Sequence, residues 1–277
     1  MSSKNDPGNL EFWDRNRETI YSSIGGWFGG KDVYCHGYSI MNELLGNISY
    51  MQMLVLNATG RLIDERLSKW FEGNFIGMSY PDPRIWCNQI GALCGSARTT
   101  VTAATVAGTL AADSRAYGGS KTSLQGINFI RQALTAYNSG SSVKNIIRQC
   151  KTNRAGVPVI TGYARPVSKN DERIAPHERM TQKLGFETGV HLSLAYKISD
   201  YLQENYSLGM NIGGYTSAFL SDQGFSGEEI YQIKAMVVAS GVTACFIDAA
   251  SKPSDSFLPL RCDDIEYSGH VPRKIKL

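Results

Sequence analysis

The sequence lacks the cysteine spacing that marks disulfide-rich and metal-binding proteins. Its six cysteines are scattered along the chain, and no two of them form a C-x-x-C pair. Most have apolar neighbours, so we interpret them as reduced core residues in preference to disulfide partners or metal ligands. No metal cofactor is expected.

Long apolar segments are also absent. The first nine residues are polar, and no apolar run approaches the length of about 20 residues that spans a bilayer. The most apolar stretch, 235–250, is short and contains Asp248, so we expect a buried core helix in preference to a membrane anchor. The cytoplasm is the expected compartment.

The chain carries little excess charge of either sign. Its 28 basic and 25 acidic side chains give a formal charge of +3 over 277 residues. A balance of this kind does not call for a nucleic-acid or membrane partner, although a slightly basic surface assists the approach of a phosphate-bearing ligand. A chain of this length can bury one large core or two small ones without disulfide or metal support.

Most of the chain has apolar residues at helical spacing, bounded by glycines or capping residues. The exception is 19–38, where alternating aromatic and small residues predict a small hairpin. Small side chains over 99–113 predict a closely packed interior helix, and Ser226 with Glu229 forms a capping box that opens a long helix. The predicted helices are 39–46, 47–60, 61–72, 83–98, 99–113, 122–139, 142–152, 185–206 and 226–250.

A first motif lies near the N-terminus. The segment Tyr34–Ile40 has the sequence YCHGYSI and is followed by Asn42–Leu45 (NELL), Met53–Leu56 (MLVL) and Gly60–Leu62 (GRL). This order resembles the entry motif of the citrate synthase superfamily, which is Y-R-G-Y-x-I, a helix and then L-L-x-G-x-L.

Three further motifs follow in the order of that superfamily. Val159–Asn170 (VITGYARPVSKN), with Asp171 and Arg173 behind it, resembles the loop G-F-G-H-[RP]-x-x-K-x-x-D-P-R. Asn211–Phe219 lies where the family has N-V-D, and Asp263–Tyr267 (DDIEY) is similar to the D-D-I-x-Y of citryl-CoA lyase-like chains. Four motifs in order indicate the short citryl-CoA lyase-like branch.

The resemblance implies a mainly α, citrate synthase-like fold with large and small helical domains and a small N-terminal hairpin. It assigns 1–140 to the large domain, 141–225 to a small domain on the coenzyme side, and 226–277 to the large domain again. It also implies a homodimer, an active site in the cleft between the domains, and a coenzyme A thioester and a small carboxylate as substrates.

The catalytic residues of the family are replaced in this chain. The family chemistry needs a base for the carbon beside the thioester and donors for the enolate oxygen, and the family uses an aspartate and two histidines. By resemblance, the aspartate corresponds to Gly213 and the histidines to Arg165 and Tyr117. The family's distance from Ala107-Gly108 to the glycine pair at 118–119 supports the Tyr117 assignment.

Arg165 and Tyr117 suggest that the pocket has changed its substrate. A guanidinium with a pKa above about 12 cannot shuttle protons near neutral pH, but it holds a carboxylate or phosphate bidentately, and a tyrosine can donate to an oxyanion. We expect Arg165 to bind an anionic group of the ligand with Tyr117 beside it. The alternative is that Arg165 pairs with Asp113 or Glu172 and merely fills the site.

The sequence leaves the replacement base open. A further family histidine corresponds to a position near Asp82, which lies between two prolines and ahead of Arg84, although Pro-Asp-Pro-Arg is also a common helix entry. The candidates for a base are Asp82, Tyr117, Glu172, His177 and, more remotely, Asp113. We expect His177 and His270 to be solvated surface residues, and His36 and His191 to be structural.

Lys169, Asn170 and Arg173 match the family segment beside the coenzyme. Cationic and amide groups there would bind the phosphates of coenzyme A, and the alternative is a solvated run of charge. Two functions remain open: an enzyme that makes or breaks a carbon–carbon bond on an acyl-CoA thioester with an unusual carboxylate, or an inactive homologue that binds a ligand or partners an active relative.

Overall fold

A computed structural model describes residues 10–114, 119–164 and 171–275 of the chain. Those residues are mainly helical and include a small N-terminal sheet, which confirms the predicted fold class. They contain twelve α-helices. These are α1 Leu10–Asn16, α2 Tyr50–Thr59, α3 Glu65–Met78, α4 Trp86–Ser96, α5 Val101–Ala112, α6 Ser120–Asn138, α7 Val143–Arg148, α8 Ile174–Lys183, α9 Val190–Tyr206, α10 Ile212–Asp222, α11 Gly227–Ile233 and α12 Ala239–Ala250.

The chain forms two compact units, Met1–Glu72 and Gly73–Leu277. The boundary between them falls within α3, and each unit is described by itself. The division at 140 and 225 that the resemblance implies follows the architecture of the family, and it stays a prediction.

The first unit contains an antiparallel sheet of strands β1 (Gly25–Phe28), β2 (Asp32–Cys35) and β3 (Tyr38–Ser39), in the order β1-β2-β3. The Asp32 carboxylate accepts hydrogen bonds from the Ser39 hydroxyl and, at 2.9 Å, from Asn42 Nδ2. This buried carboxylate joins the start of β2 to the end of β3 and to the turn that follows it. The predicted helix at 39–46 is a five-residue π-helical turn, Ile40–Leu44, which begins at the Ser39 cap.

Helix α2 begins and ends at residues with clear physical roles, and α3 is longer than the sequence predicts. A capping box of Ser49 and Gln52 opens α2, and Gly60 ends it in the left-handed conformation with φ 74°. The predicted end of α3 at residue 72 is wrong, because the helix continues to Met78. Gly73 does not stop it: a Cβ atom there would lie 2.1 Å from Met180 Sδ, so the glycine serves close packing against α8.

Small residues let α4, α5 and α12 pack tightly against one another in the second unit. A Cβ atom on Gly91 would lie 2.5 Å from the carbonyl oxygen of Val242, and one on Gly108 would lie 2.4 Å from Val242 Cγ1. The prediction of a wholly interior α5 is wrong in part. Its small residues face α4 and α12, whereas Val106 is 50% exposed and Leu110 is 74% exposed.

The single long helix predicted for 226–250 is interrupted. The capping box of Ser226 and Glu229 opens α11 as expected, but a 3-10 turn, Lys234–Met236, separates α11 from α12. The interruption allows α11 to pack on α6 while α12 packs on α4 and α5. Taken together, Gly227–Ala250 is long and apolar enough to cross a membrane, but core helices of soluble proteins pass the same test, so this is weak evidence.

Candidate functional site

Two of the sequence motifs meet at the N-terminus of α10. The side chain of Asn211 caps this helix, because its Oδ1 accepts from Gly213 N at 2.8 Å and Gly214 N at 3.3 Å. The same residue bonds the loop before position 165: its Nδ2 donates to the Ala164 carbonyl at 2.6 Å and its N–H to the Gly162 carbonyl at 2.9 Å. The family-like loop and the family-like helix start are therefore joined through one residue.

Gly213 is the second residue of α10, and its correspondence to the family's aspartate stays a prediction from the sequence resemblance. A Cβ atom there would lie 2.9 Å from Asn211 Oδ1, and the next contact would be Gly162 Cα at 4.0 Å. A side chain at this position would thus meet mainly the oxygen of its own cap. If the predicted alignment holds, the chain has no titratable side chain where the family has its base.

A buried ion pair lies beside the same helix start. The Asp171 side chain is fully buried, and its Oδ2 accepts from Ile212 N at 2.9 Å and from Arg173 Nη2 at 2.8 Å. Its Oδ1 accepts from Arg173 Nε at 2.8 Å, so the arginine binds it bidentately. Burial alone would raise the pKa of Asp171, but the hydrogen bonds from Arg173 and Ile212 outweigh it and lower the pKa to about 2.

This pairing bears on the predicted role of Arg173 beside the coenzyme. Its guanidinium is engaged with Asp171, and its side chain keeps 22% exposure. The exposed part can still meet a ligand, so the coenzyme role of Arg173 stays a prediction.

His177 is buried, and the expectation of a solvated surface histidine is wrong. It is 5% exposed, and its Nδ1 lies 2.8 Å from the Arg173 carbonyl and its Nε2 3.3 Å from Asn74 Nδ2. A carbonyl can only accept, so Nδ1 carries the proton and Nε2 accepts from the amide of Asn74. Burial lowers the pKa of His177 below its ordinary value, which favours this neutral form.

Lys234, which sequence reasoning did not single out, is a buried cation near the N-terminal ends of α6 and α10. It is 4% exposed, and its Nζ lies 3.3 Å from Ser123 Oγ and 3.4 Å from Thr216 Oγ1. Burial, with a smaller contribution from the Arg173 charge, lowers the pKa of Lys234 to about 8. In the sequence, Lys234 directly precedes the apolar stretch 235–250, and a single lysine at the edge of such a stretch is only a weak sign of burial.

These groups form one set, which we call the Lys234 cluster. It combines permanent and titratable cations, a buried carboxylate and two hydroxyls next to the start of α10. The cluster consists of Ser123, Asp171, Arg173, His177, Thr216 and Lys234.

The geometry of Asp82 favours the helix-entry interpretation. Its carboxylate accepts from Arg84 Nε at 3.0 Å, Arg84 Nη2 at 2.6 Å and the Arg84 N–H at 2.9 Å, and its carbonyl accepts from Asn88 Nδ2 at 2.9 Å. The hydrogen bonds from Arg84 lower the pKa of Asp82 to about 2. A carboxylate of this pKa is a weak base at neutral pH, and within the described ranges its side-chain hydrogen bonds go to Arg84.

The remaining candidates are dispersed. Asp113 is exposed and accepts from Tyr231 OH at 3.0 Å and Lys121 N at 3.3 Å. His191 Nδ1 lies 2.8 Å from Asp222 Oδ1, and Asp222 also caps α9, which is the structural role expected for His191. Glu172 and His270 are exposed as well, and exposure is what was expected for His270.

Four predicted site residues lie outside the described part of the chain. They are Tyr117, Arg165, Lys169 and Asn170. In the residues that the structure describes, no group of three or more His, Cys, Asp and Glu side chains could hold a metal ion.

Comparisons with known proteins define the fold. No family model and no curated protein matches the sequence, but solved structures do. The citryl-CoA lyase from Hydrogenobacter thermophilus is 22% identical, with a TM-score of 0.77 over 93% of this chain and 97% of that one. The chain therefore has the citrate synthase-like fold, as the sequence resemblance implies.

Larger proteins share this fold over part of their length. The ATP citrate lyase from Methanothrix soehngenii, solved with citrate and coenzyme A, is 15% identical, with a TM-score of 0.74 over 98% of this chain and 46% of that one. The citrate synthase from Thermotoga maritima is 17% identical, with a TM-score of 0.60 over 83% and 60%. Of these three proteins, the citryl-CoA lyase is the one that this chain matches over nearly its whole length.

Proposed function

We propose that this protein acts on an acyl-CoA thioester and forms or cleaves a carbon–carbon bond beside the thioester carbonyl. The observation that carries the proposal is the match to a citryl-CoA lyase over 97% of its length and 93% of this chain. A fold shared over its whole extent retains the framework on which that chemistry is built, although function must be argued from the site.

The second substrate in this proposal is an unusual carboxylate. Gly213 offers no base, so condensation of acetyl-CoA with oxaloacetate by the usual groups is not expected. Arg165 would hold a carboxylate of the ligand with Tyr117 beside it, while Lys169, Asn170 and Arg173 would bind the coenzyme phosphates. The joining of Ala164 to Asn211 supports the idea that the two altered positions, 165 and 213, belong to one site.

We further infer a homodimer. The exposed Val106 and Leu110 lie one turn apart on α5, the helix whose other face packs on α4 and α12. Apolar side chains exposed on one helix face are typical of a subunit interface, and a second copy of the chain would cover them.

Ligand binding and turnover test the proposal separately. Coenzyme A and acetyl-CoA should raise the melting temperature of the protein, because a ligand that binds only the folded state stabilises it, whereas ATP at equal concentration should raise it less. A screen of acetyl-CoA with di- and tricarboxylates would then follow thiol release. The pair acetyl-CoA and oxaloacetate should release no coenzyme A above background.

The outcomes discriminate between the candidate functions. Binding of the thioester without turnover on any carboxylate would favour the inactive homologue, for which the absence of a base at Gly213 is the specific argument. Rapid citrate formation would contradict the unusual carboxylate, and it would show that position 213 is misassigned or that another residue supplies the base. Absence of any effect of coenzyme A would contradict the proposal itself.

A further inference from the structure

Lys234 lies next to the helix start in which the family's base is missing. Its Nζ is 3.4 Å from Thr216 Oγ1, and that hydroxyl is 3.5 Å from the carbonyl oxygen of Gly213. On its other side Nζ is 3.3 Å from Ser123 Oγ, in the N-terminal part of α6. The amine thus bridges the N-terminal parts of α6 and α10, and α10 contains the altered position 213.

The surroundings of Lys234 suit an amine that exchanges a proton near neutral pH. Burial lowers its pKa to about 8, and the Arg173 guanidinium contributes in the same direction. A lysine that is desolvated and close to a second cation is a recurring form of activated base or nucleophile.

The other ionisable groups of the cluster keep one protonation state around pH 8. The Arg173 guanidinium is a permanent cation, the pKa of Asp171 is about 2, and the pKa of His177 lies below its ordinary value. Ser123 and Thr216 contribute hydroxyls only. Within the cluster, Lys234 is therefore the group whose charge changes around pH 8.

We propose that Lys234 is the base of this site, and that its neutral amine takes the proton from the carbon next to a CoA thioester, with the Ser123 hydroxyl as carrier. The inference rests on the proposed function, and it deepens that function by naming the group that replaces the aspartate. Both hydroxyl partners of Nζ are buried, and Ser123 is 6% exposed against 1% for Thr216, so the proposal assigns the proton transfer to Ser123.

The proton balance closes without any further reactant. The C–H bond of the acyl group breaks and its electron pair stays on the thioester as an enolate. The proton passes to Ser123 Oγ as the hydroxyl proton passes to Nζ, which leaves Ser123 unchanged and Lys234 as an ammonium. When the enolate adds to the carbonyl carbon of the second substrate, the ammonium returns the proton to the new alkoxide.

The first half of this sequence can be measured on its own. A base that enolises acetyl-CoA exchanges the methyl protons for deuterium in D2O, which mass spectrometry follows without knowledge of the second substrate. For the intact wild-type protein we expect exchange above the buffer rate, rising with pH and levelling off above about pH 8, because the neutral amine is the active form. Binding of acetyl-CoA is measured in parallel by calorimetry.

Two variants at position 234 separate catalysis from folding. Lys234→Met should keep acetyl-CoA binding and lose exchange by roughly 10²- to 10⁴-fold, the usual contribution of a positioned base. Lys234→Arg keeps the charge but cannot give up its proton near neutral pH, so it should lose exchange equally. Ser123→Ala should lose exchange in part, and the exposed Lys183→Met on α8 is the matched control that should behave as wild type.

The results have distinct meanings. Circular dichroism first establishes that Lys234→Arg is folded. If the wild-type protein binds acetyl-CoA and this variant exchanges protons at the wild-type rate with the same pH profile, the assignment of Lys234 is wrong. The proposed function stands in that case. Binding without exchange by the wild-type protein also overturns the assignment. If wild-type protein neither binds acetyl-CoA nor exchanges its protons, the proposed function fails and the assignment fails with it.

Discussion

A Cβ atom on Gly214 would lie 2.5 Å from the carbonyl oxygen of Gly162. Gly162 itself adopts φ +97°, and the Asn211 N–H bonds to its carbonyl at 2.9 Å. The backbone of the loop 160–164 therefore contacts the backbone of α10 at the start of the helix. This contact, which we call the backbone crossing, places residues 164 and 213 near each other.

The first prediction concerns this crossing. Gly214→Ala should lower the free energy of unfolding by about 1 to 3 kcal/mol, the usual cost of forcing a methyl group into a packed contact. Urea denaturation followed by circular dichroism measures it. The matched control is Gly213→Ala, whose methyl group would press mainly on Asn211 Oδ1 at 2.9 Å and should cost less. Equal losses for the two variants would contradict the backbone crossing.

Periodicity was sufficient for the helices with one polar face. Spacings of three and four along 122–139 predicted α6, which the structure gives as Ser120–Asn138 with Ile127 and Ile130 buried. Sequence reasoning missed α8 and α10, because α10 is buried on nearly every side and α8 carries many charged residues. Helix α10 therefore lacks a polar face, and the buried face of α8 carries the polar residues His177 and Thr181 in place of an apolar stripe.

The sequence resemblance predicts Gly213 as the position of the missing base, and that assignment stays a prediction. The buried groups that lie near Gly213 could not be predicted in the same way. His177 and Lys234 are buried polar groups, and their burial depends on Asn74, Ser123 and Thr216, which are distant in sequence. These contacts depend on tertiary packing, so no local sequence pattern predicts them.

The second prediction concerns assembly. Leu110→Glu should convert a dimer of about twice 30.4 kDa into a monomer, because a carboxylate in an apolar interface is left without solvent or a partner. Light scattering coupled to size exclusion reports the mass. Val190→Glu, at an exposed residue that begins α9, is the control and should leave the mass unchanged. A wild-type monomer would contradict the homodimer and leave the fold as it is.

The third prediction is a pH dependence of stability that originates in Asp171. Its folded pKa of about 2 lies below its ordinary value of 3.8, so the ion pair contributes fully above about pH 4 and is lost as the pH falls toward 2. By linkage this contribution is about 2 kcal/mol. Asp171→Asn should destabilise the protein by about 3 kcal/mol at pH 7, since Arg173 also loses its partner.

Urea denaturation at several pH values tests whether the stabilisation by Asp171 decreases as the pH falls. The difference between wild type and Asp171→Asn should shrink between pH 4 and pH 2, where the wild-type carboxylate takes up its proton. The double variant Asp171→Asn with Arg173→Met completes a mutant cycle, and it should be less destabilised than the sum of the single variants. A difference that is constant over this range would show that Asp171 is not held ionised by Arg173.

The last prediction concerns Arg165, which lies outside the described residues. Its neighbour Ala164 is bonded to the cap of α10, so an anion held by Arg165 would lie in the site that contains Gly213. Arg165→Ala should weaken binding of a carboxylate-bearing ligand by roughly 2 to 4 kcal/mol, the usual cost of removing one member of a buried charged pair. Calorimetry with the best carboxylate from the screen measures this, and Arg179→Ala on the exposed part of α8 is the control. Full affinity in Arg165→Ala would show that Arg165 does not bind the anionic group of the ligand.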